Sequence, residues 1–589
     1  MTNTTARADT VANLRAFARL YGYVRFFHPS DEASSIDWER FAVLGAVRVL
    51  DCADAESLRS TLSGLFGPVA PTVQVYEAGT QPRPVDLPGD GTTCVPVCWQ
   101  HRGLGTTDAL RMLKQTYGSN SIYSSLRTNR AMPDDDAGHA RPRLAGWTEF
   151  GDCPAPGEFA DRPLDRGLRC RVPLCLWSEH GRTLPPGDAA ALGRLRAELD
   201  AVEPDAPGDP PPAVRLGAVV IAWTAAQHFY PYFDVVPTDW DAVLTEALFK
   251  ALADAGRLDF HRTLQRMAVA LHDGHANASD LRSDKGQVAA RLEVVEGRIV
   301  VISAPEDTGL RRGDVLLEIN GRPAADMLEE KERRISGSPQ WRPTLGLFRL
   351  LLGPKTEPLR LLVERGTGTA LVTVKPDNPP GLPFSCDTGD CVRELEPGIW
   401  YVDMTRALEE INSNMDRLAR ARGLVFDLRG YPHGNEDVIN HLLTGREKRG
   451  ERWMFIPHIA WPDRERISGW DSGGWDQLRP EEPHFEGKPV FLANAVAISY
   501  AESIMGYIEG LKLAEIVGGP TAGANGNILL LPLPGGFRFS WSGMKVTKLD
   551  GSRHHLIGVR PTVPLERTLG AVREGRDEYI EKALELIRG

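Results

Sequence analysis

The stretch KPVFLANAVAISYAESIMGYIEG, Lys488 to Gly510, decides how the last part of this chain is read. Val490-Phe491-Leu492-Ala493 is an apolar run of strand length, and Asn494 breaks it. Beyond Ser499 the apolar residues Ile504, Tyr507, Ile508 and Leu511 recur at i, i+3, i+4 and i+7, the spacing of one helix face. The segment therefore predicts strand, turn and helix, with Ser499 at or near the helix N-terminus. Two readings of that serine stand side by side. Serine is a common helix cap, and a helix N-terminus also favours a developing negative charge.

Neighbouring segments repeat the alternation. GLVFDLRG (Gly423 to Gly430) is an apolar strand ending in polar residues, and AEIVGGPTAG (Ala514 to Gly523) is a strand entering a glycine-rich turn. Alternating strand and helix predict βαβ units and a largely parallel sheet. In such sheets the active site lies beyond the carboxyl ends of the strands. Arg429, Ser499 and Thr521 all fall at or just after such ends.

Upstream, RFFHPSDEASSIDWERF (Arg25 to Phe41) and QHFYPYFDVVPTDWDAV (Gln227 to Val243) share an aromatic pair, a proline and a D-W-acid triplet. Pro29 and Pro231 differ by 202, as do Trp38 and Trp240, and Thr61-Leu62 matches Thr263-Leu264 at the same offset. A helical unit present twice is expected, residues 1–75 and 210–284. Between the copies, residues 76–200 are rich in Pro, Gly and Cys, with runs such as TCVPVCWQHRG and LRCRVPLCLW that read as strands of a small β insert. EPDAPGDPPPA (Glu203 to Ala213) is a linker by composition. Residues 285–378 open with the hairpin-like LEVVEGRIVVISA, and GLRRGDVLLEINGRPAADML places an N-G turn between a strand and a helix. Residues 379–589 hold the α/β core.

Bulk properties bound the function. A chain of 589 residues exceeds one compact core and predicts several domains. The apolar fraction of 42% and charged fraction of 25% are ordinary for a soluble globular protein. A net charge of -11 argues against nucleic acid or an anionic membrane as main partner. No apolar run approaches membrane-spanning length, and the N-terminus lacks a secretory pattern, so a cytoplasmic location is expected. Of eight cysteines, Cys94/Cys98 form a C-x3-C pair, and Cys170/Cys175 and Cys386/Cys391 form C-x4-C pairs. The C-x2-C spacing of common zinc modules is absent, so free or buried thiols are expected, with no metal and no cofactor.

A serine nucleophile needs a base and donors for its oxyanion. His275, in ALHDGHANAS, ends the second helical copy. At the 202 offset the first copy has Val73, so the helical unit itself does not require a histidine there. His433 lies in DLRGYPHGN, whose glycine-rich turn can aim N–H groups at one point, and His554-His555 lie in DGSRHHLIGV.

With these residues in view, the chain resembles the C-terminal processing peptidase and tricorn superfamily of serine peptidases over about residues 210–589. DLRGYPHG resembles the family's D-L-R-x-N-x-G-G, SYAE (Ser499 to Glu502) its S-x-x-E, VGGPTAGANG its V-G-E-x-T-x-G-K-G, GVRPTVPL its G-I-x-P-D, and DGH (Asp273 to His275) its D-G-H-T. The resemblance implies a multidomain α/β protein: a ClpP/crotonase-like α/β catalytic core, a PDZ-like domain at 285–378, helical cap repeats and an N-terminal β insert. It departs from members with a Ser–Lys dyad, whose lysine follows the serine by 25 residues. Here 499 + 25 is 524, and Ala524 stands there without a gap. The tricorn-like branch implies His275 as general base for Ser499. The N–H groups of Tyr500 and of Gly434 or His433 would then form the oxyanion hole. The third group stays open between Asp273, Glu502 and His555, and Glu502 is also readable as structural. The implied activity is hydrolysis of a peptide or protein substrate, with homo-oligomerisation left open. Two other readings remain at this point: a non-catalytic peptide-binding scaffold of the same fold, and a peptide-maturation acyl-transfer enzyme.

Overall fold

The structure is a computed structural model that describes residues 2–85, 87–89, 93–106, 111–112, 114, 122–128, 150–380, 389–406, 408–432, 434–444, 453–474 and 478–589. His433 and Cys386 lie outside the described residues. Among the described residues no helix is long and apolar enough to cross a membrane.

Helices Thr2–Phe27, Asp31–Ser34, Trp38–Leu50 and Ala55–Phe66 open the chain, and Pro212–Phe229, Trp240–Ala253 and Arg257–Val269 follow after the β-rich segment. Local chemistry recurs between the two sets. Asp37 and Asp239 each cap the helix that starts at the next residue. The Tyr21 hydroxyl donates to the Trp38 carbonyl at 2.8 Å, and the Trp223 indole N–H donates to the Trp240 carbonyl at 2.8 Å. Tyr21 and Trp223 are themselves 202 apart (21 + 202 = 223). Phe27 and Phe229, separated by the same offset, stack with centroids 6.4 Å apart and planes 6° from parallel. A Cβ on Gly22 would press on Thr224, its counterpart at that offset.

In the β-rich segment Gln74–Glu77, Leu168–Pro173 and Phe159–Pro163 form a three-stranded antiparallel sheet, while a second sheet extends beyond the segment. Val95–Arg102 pairs on one side with Cys175–Glu179 and on the other with Met454–Ile459, which continues into Ile467–Gly473. A strand with open edges takes whatever partner the fold brings, and the partner here lies more than 350 residues away in sequence.

Residues 291–374 form an antiparallel sheet in the order Arg291–Val295, Arg298–Ser303, Val315–Ile319, Leu359–Arg365, Gly368–Val374. Helices Ala324–Glu332 and Trp341–Leu350 accompany it, and Leu292, Val301, Leu316, Leu347 and Leu361 share one core.

The α/β core has six strands in spatial order: Val392–Glu396, Ile399–Asp403, Gly423–Asp427, Lys488–Ala493, Glu515–Gly518, Val563–Pro564. The first pair is antiparallel and the rest are parallel. Alternation sorts its side chains. Phe426 and Phe491 pack with Ala501, Ile504 and Ile508 of the helix Tyr500–Leu511. Val425, Val490, Leu492 and Val517 pack on the other face with Tyr579 and Ala583 of the helix Glu578–Arg588. Strands covered on both faces read as unbroken apolar runs, as VFLA and LVF do. Arg429, at a strand end, is buried between Asp427 and Asp577, donating to both. Burial opposes the Asp427 charge, but Arg429 outweighs it and holds the carboxyl below its ordinary range. Arg429 therefore fastens the sheet to the last helix.

Candidate active site

Ser499 links the strand Lys488–Ala493 to the helix Tyr500–Leu511. It occupies the N-cap position, yet its side chain makes no capping hydrogen bond. Its backbone sits at φ 59°, ψ -116°, outside the regions a non-glycine residue ordinarily uses and worth about 1–3 kcal/mol of strain. The surroundings enforce that conformation. Ser499 N–H donates to the Ala524 carbonyl at 2.9 Å, and Ala522 N–H donates to the Ala497 carbonyl at 2.9 Å. The glycine-rich turn thus grips the serine from behind, and the hydroxyl is left to the cavity in front. The capping reading of Ser499 does not hold.

The turn is itself held by Glu502, which is 1% exposed. Its carboxylate accepts from Gly523 N–H and Ala524 N–H, both at 2.7 Å, and from the Thr521 hydroxyl. His554 Nε2 lies 3.3 Å from the same carboxylate without hydrogen-bond alignment. Burial works against the charge, but His554 and these donors outweigh it, and the carboxyl titrates below its ordinary value. Glu502 is committed to the backbone behind Ser499. Glu502→Ala strands those N–H groups in the interior, and a loss of about 3 kcal/mol or more is expected from the urea midpoint.

His275 approaches from the opposite side. Asn277–Asp280 adds an antiparallel strand to the hairpin of Ile528–Leu533 and Phe537–Ser542, pairing Asn277 with Ser540. That register carries Ser542 to His275. His275 Nδ1 lies 2.9 Å from Ser542 Oγ, which is 2.9 Å from Asp273 Oδ1. Asp273 is fully buried, and its carboxylate also accepts from His275 N–H and Ser542 N–H. Counting donors fixes the tautomer. An ionised carboxylate only accepts, so the Ser542 proton goes to Asp273 and Ser542 Oγ must accept from His275 Nδ1–H. The lone pair is then on Nε2, which is buried and has no hydrogen-bond partner. Burial lowers the His275 pKa, with Asp273 and Glu502 partly opposing, so the imidazole stays neutral at neutral pH.

Ser499 and His275 line one cavity of about 740 Å³ together with Tyr500, Tyr431 and Trp341. The position of the Ser–Lys lysine is sterically filled. Ala524 is fully buried, and a Cβ on Gly274, the residue before His275, would come within 2.6 Å of the Ala524 Cβ. The loop that delivers the histidine occupies the space a lysine side chain would need.

Of the remaining expected residues, Tyr500 is the first helical residue and lines the cavity. Gly434 is exposed at φ 68°, and Tyr431 of the same loop lines the cavity instead. His555 is buried against Tyr232, ring centroids 3.8 Å apart, away from the cavity lining. Ser542 was not legible in the sequence: it lies 267 residues from His275 and meets it only through a strand register, and no local pattern encodes that.

A strained serine at a strand–helix junction of a parallel sheet, facing a cavity with a buried imidazole, resembles the constellation of the α/β serine hydrolases. Within that class, residues 398–565 match the model of peptidase family S41. Its fold is similar to that of mature CPAF complexed with lactacystin, at 15% identity and a TM-score of 0.52, covering 64% of this chain and 98% of that one. A second structure of mature CPAF gives 15% identity, 64% and 96% coverage, and a TM-score of 0.51. The photosystem II D1 C-terminal processing protease aligns at 18% identity over 59% of this chain and 92% of its own, with a TM-score of 0.36. No curated protein matches the chain at a significant level.

Proposed function

We propose that this chain is a serine peptidase that hydrolyses peptide bonds through an acyl-enzyme on Ser499, with His275 as general base. The observation that carries this reading is the pairing of an uncapped, strained Ser499 with an imidazole whose Nε2 lone pair has no other partner in the same cavity. Ser499 Oγ attacks the scissile carbonyl carbon while His275 Nε2 takes the hydroxyl proton. The resulting oxyanion is received by the Tyr500 N–H, at the positive end of its helix, and by N–H groups of the loop bearing His433 and Gly434. Collapse expels the amine, which takes the proton from His275, and water then repeats the sequence to free the carboxylate. Asp273, acting through the Ser542 hydroxyl, keeps the imidazole in the required tautomer and stabilises its protonated form.

The 285–378 unit is read as a PDZ-like domain that docks an extended substrate segment by strand addition. The helical units 1–75 and 210–284 are read as caps, the second delivering His275. The setting is read as cytoplasmic, where the thiols would stay reduced.

A fluorophosphonate probe tests the nucleophile. Wild-type protein is expected to be labelled at Ser499, and Ser499→Ala is expected to lose all labelling. Equal labelling of both proteins would refute the assignment. Mass spectrometry of reacted peptides should show fragments rather than loss of water. Peptide binding without labelling or turnover would instead identify a non-catalytic peptide-binding protein.

A further inference from the structure

The cavity that holds Ser499 and His275 has a lopsided charge. Arg349 and Arg538 both line it, and no aspartate or glutamate does among the described residues. Arg349 projects from the helix Trp341–Leu350 on the same face as Trp341 and Leu345, at i, i+4 and i+8. Its guanidinium donates to the neutral Asn277 Oδ1 at 3.0 Å and has no ion-pair partner among the described residues. Burial alone pushes its pKa down to about 10. Arg538 lies on the strand Phe537–Ser542, on the same face as Ser540 and Ser542, and no carboxylate lines the cavity beside it among the described residues. Behind Arg349, burial together with Lys285, Arg334 and Arg349 itself pushes the Lys331 ammonium down to about 8. A desolvated guanidinium such as that of Arg349 is costly without a counter-ion, and a carboxylate entering the cavity would relieve it. Elsewhere the chain pairs its partly buried arginines readily, as Arg257 with Asp280 and Arg365 with Asp314.

Resting on the peptidase reading, we propose that Arg349 and Arg538 form a subsite for an acidic side chain of the substrate. Geometry sets its distance from the chemistry. Asn277, the partner of Arg349, is two residues beyond His275 along an edge strand, and Arg538 is four residues before Ser542 on the neighbouring one. At about 3.3 Å per residue these offsets span roughly 7 to 13 Å. A peptide running alongside would place its glutamate or aspartate about two to four residues from the scissile bond.

The test is a series of peptides blocked at both ends, with one glutamate stepped through each position, each matched by its glutamine counterpart. One or two positions are expected to raise kcat/KM by about tenfold or more over glutamine, the scale of a charge-assisted pair. In the double variant Arg349→Gln/Arg538→Gln that ratio is expected to fall below about threefold. Arg538→Glu supplies an independent check, since it should favour lysine over glutamate at the same position. The Ser499→Ala protein, titrated with the fluorescent peptides, should bind glutamate over glutamine with similar selectivity. Absence of any glutamate preference, a preference that survives the double variant, or one that requires a free C-terminal carboxylate would overturn the proposal. The binding arm separates the two readings: no cleavage of any peptide counts against the peptidase, while glutamate-selective binding still supports the anionic subsite.

Discussion

His275→Ala is expected to lower kcat/KM for peptide cleavage by roughly ten-thousand-fold, and to add almost nothing when combined with Ser499→Ala. General-base catalysis contributes about 10² to 10⁴, and groups that act as one unit are strongly non-additive. The two side chains share a cavity that no lysine lines among the described residues, and Ala524 is walled in by Gly274. Ser542→Ala is expected to cost about 100-fold, mainly in kcat. It removes the acceptor for Nδ1–H and releases the tautomer that points a lone pair at Ser499. Asp273 is a poorer handle, because both its oxygens accept backbone N–H groups and an amide cannot serve both. The pH profile carries the sign. His275 is active when neutral, and burial lowers its pKa from the ordinary 6.5, so the acid limb of kcat/KM should lie below that value. An acid limb above 7, or His275→Ala retaining a tenth of wild-type activity, would exclude His275 as the base.

Much of this arrangement is written locally, and some of it cannot be. The run VFLA and the helical spacing after Ser499 place the strand Lys488–Ala493 and the helix Tyr500–Leu511, because both faces of the strand are covered and one face of the helix is. The D-G-H segment is readable because His275 is an extra feature on a helical unit that does without it in the other copy. What no local pattern carries is pairing between distant segments. Ser542 meets His275 only through the Ser540–Asn277 register, and Val95–Arg102 finds its partner at Met454–Ile459. Arg349 and Arg538 look like ordinary surface cations until two separate elements bring them to one cavity. Glu502 shows the converse. Its S-x-x-E spacing marks it plainly, but only the hydrogen bonds to Gly523 and Ala524 distinguish a backbone clamp from a catalytic acid.

Acid is expected to unfold this protein steeply, beginning just below pH 6.5. Four histidines are buried and hydrogen-bonded or stacked as neutral rings. His28 contacts the Thr72 hydroxyl at 2.8 Å, His101 the Phe26 carbonyl at 2.8 Å, and His228 accepts from Asp463 N–H at 3.1 Å, while His555 stacks on Tyr232. Burial pushes their pKa values down to about 3 for His28 and about 4 for His101, His228 and His555, with Asp463 partly opposing at His228 and Asp273 at His555. Unfolded, each titrates near 6.5. Between about pH 6.5 and 4 the unfolded chain therefore binds more protons than the folded one, and stability falls as pH drops. Each histidine contributes up to about 1.4 kcal/mol per pH unit, so the four together approach about 5 kcal/mol per unit, comparable to a whole folding free energy. The buried carboxyls of Asp427 and Glu502, held below their ordinary range, add a further loss at lower pH. Urea midpoints measured from pH 7.5 to 4.5 should show the decline, and His101→Gln should flatten it by about one proton while costing some stability at pH 7.5. A midpoint constant down to pH 5 would mean that these rings accept protons in the folded state. Three of them, His28, His101 and His228, sit where the opening helices, the β-rich segment and the second helical set meet, with Phe27 packed against both His101 and His228. Protonation there should loosen the junction of the two helical sets, the second of which leads into the His275 loop, so activity is expected to fail in acid before the α/β core unfolds.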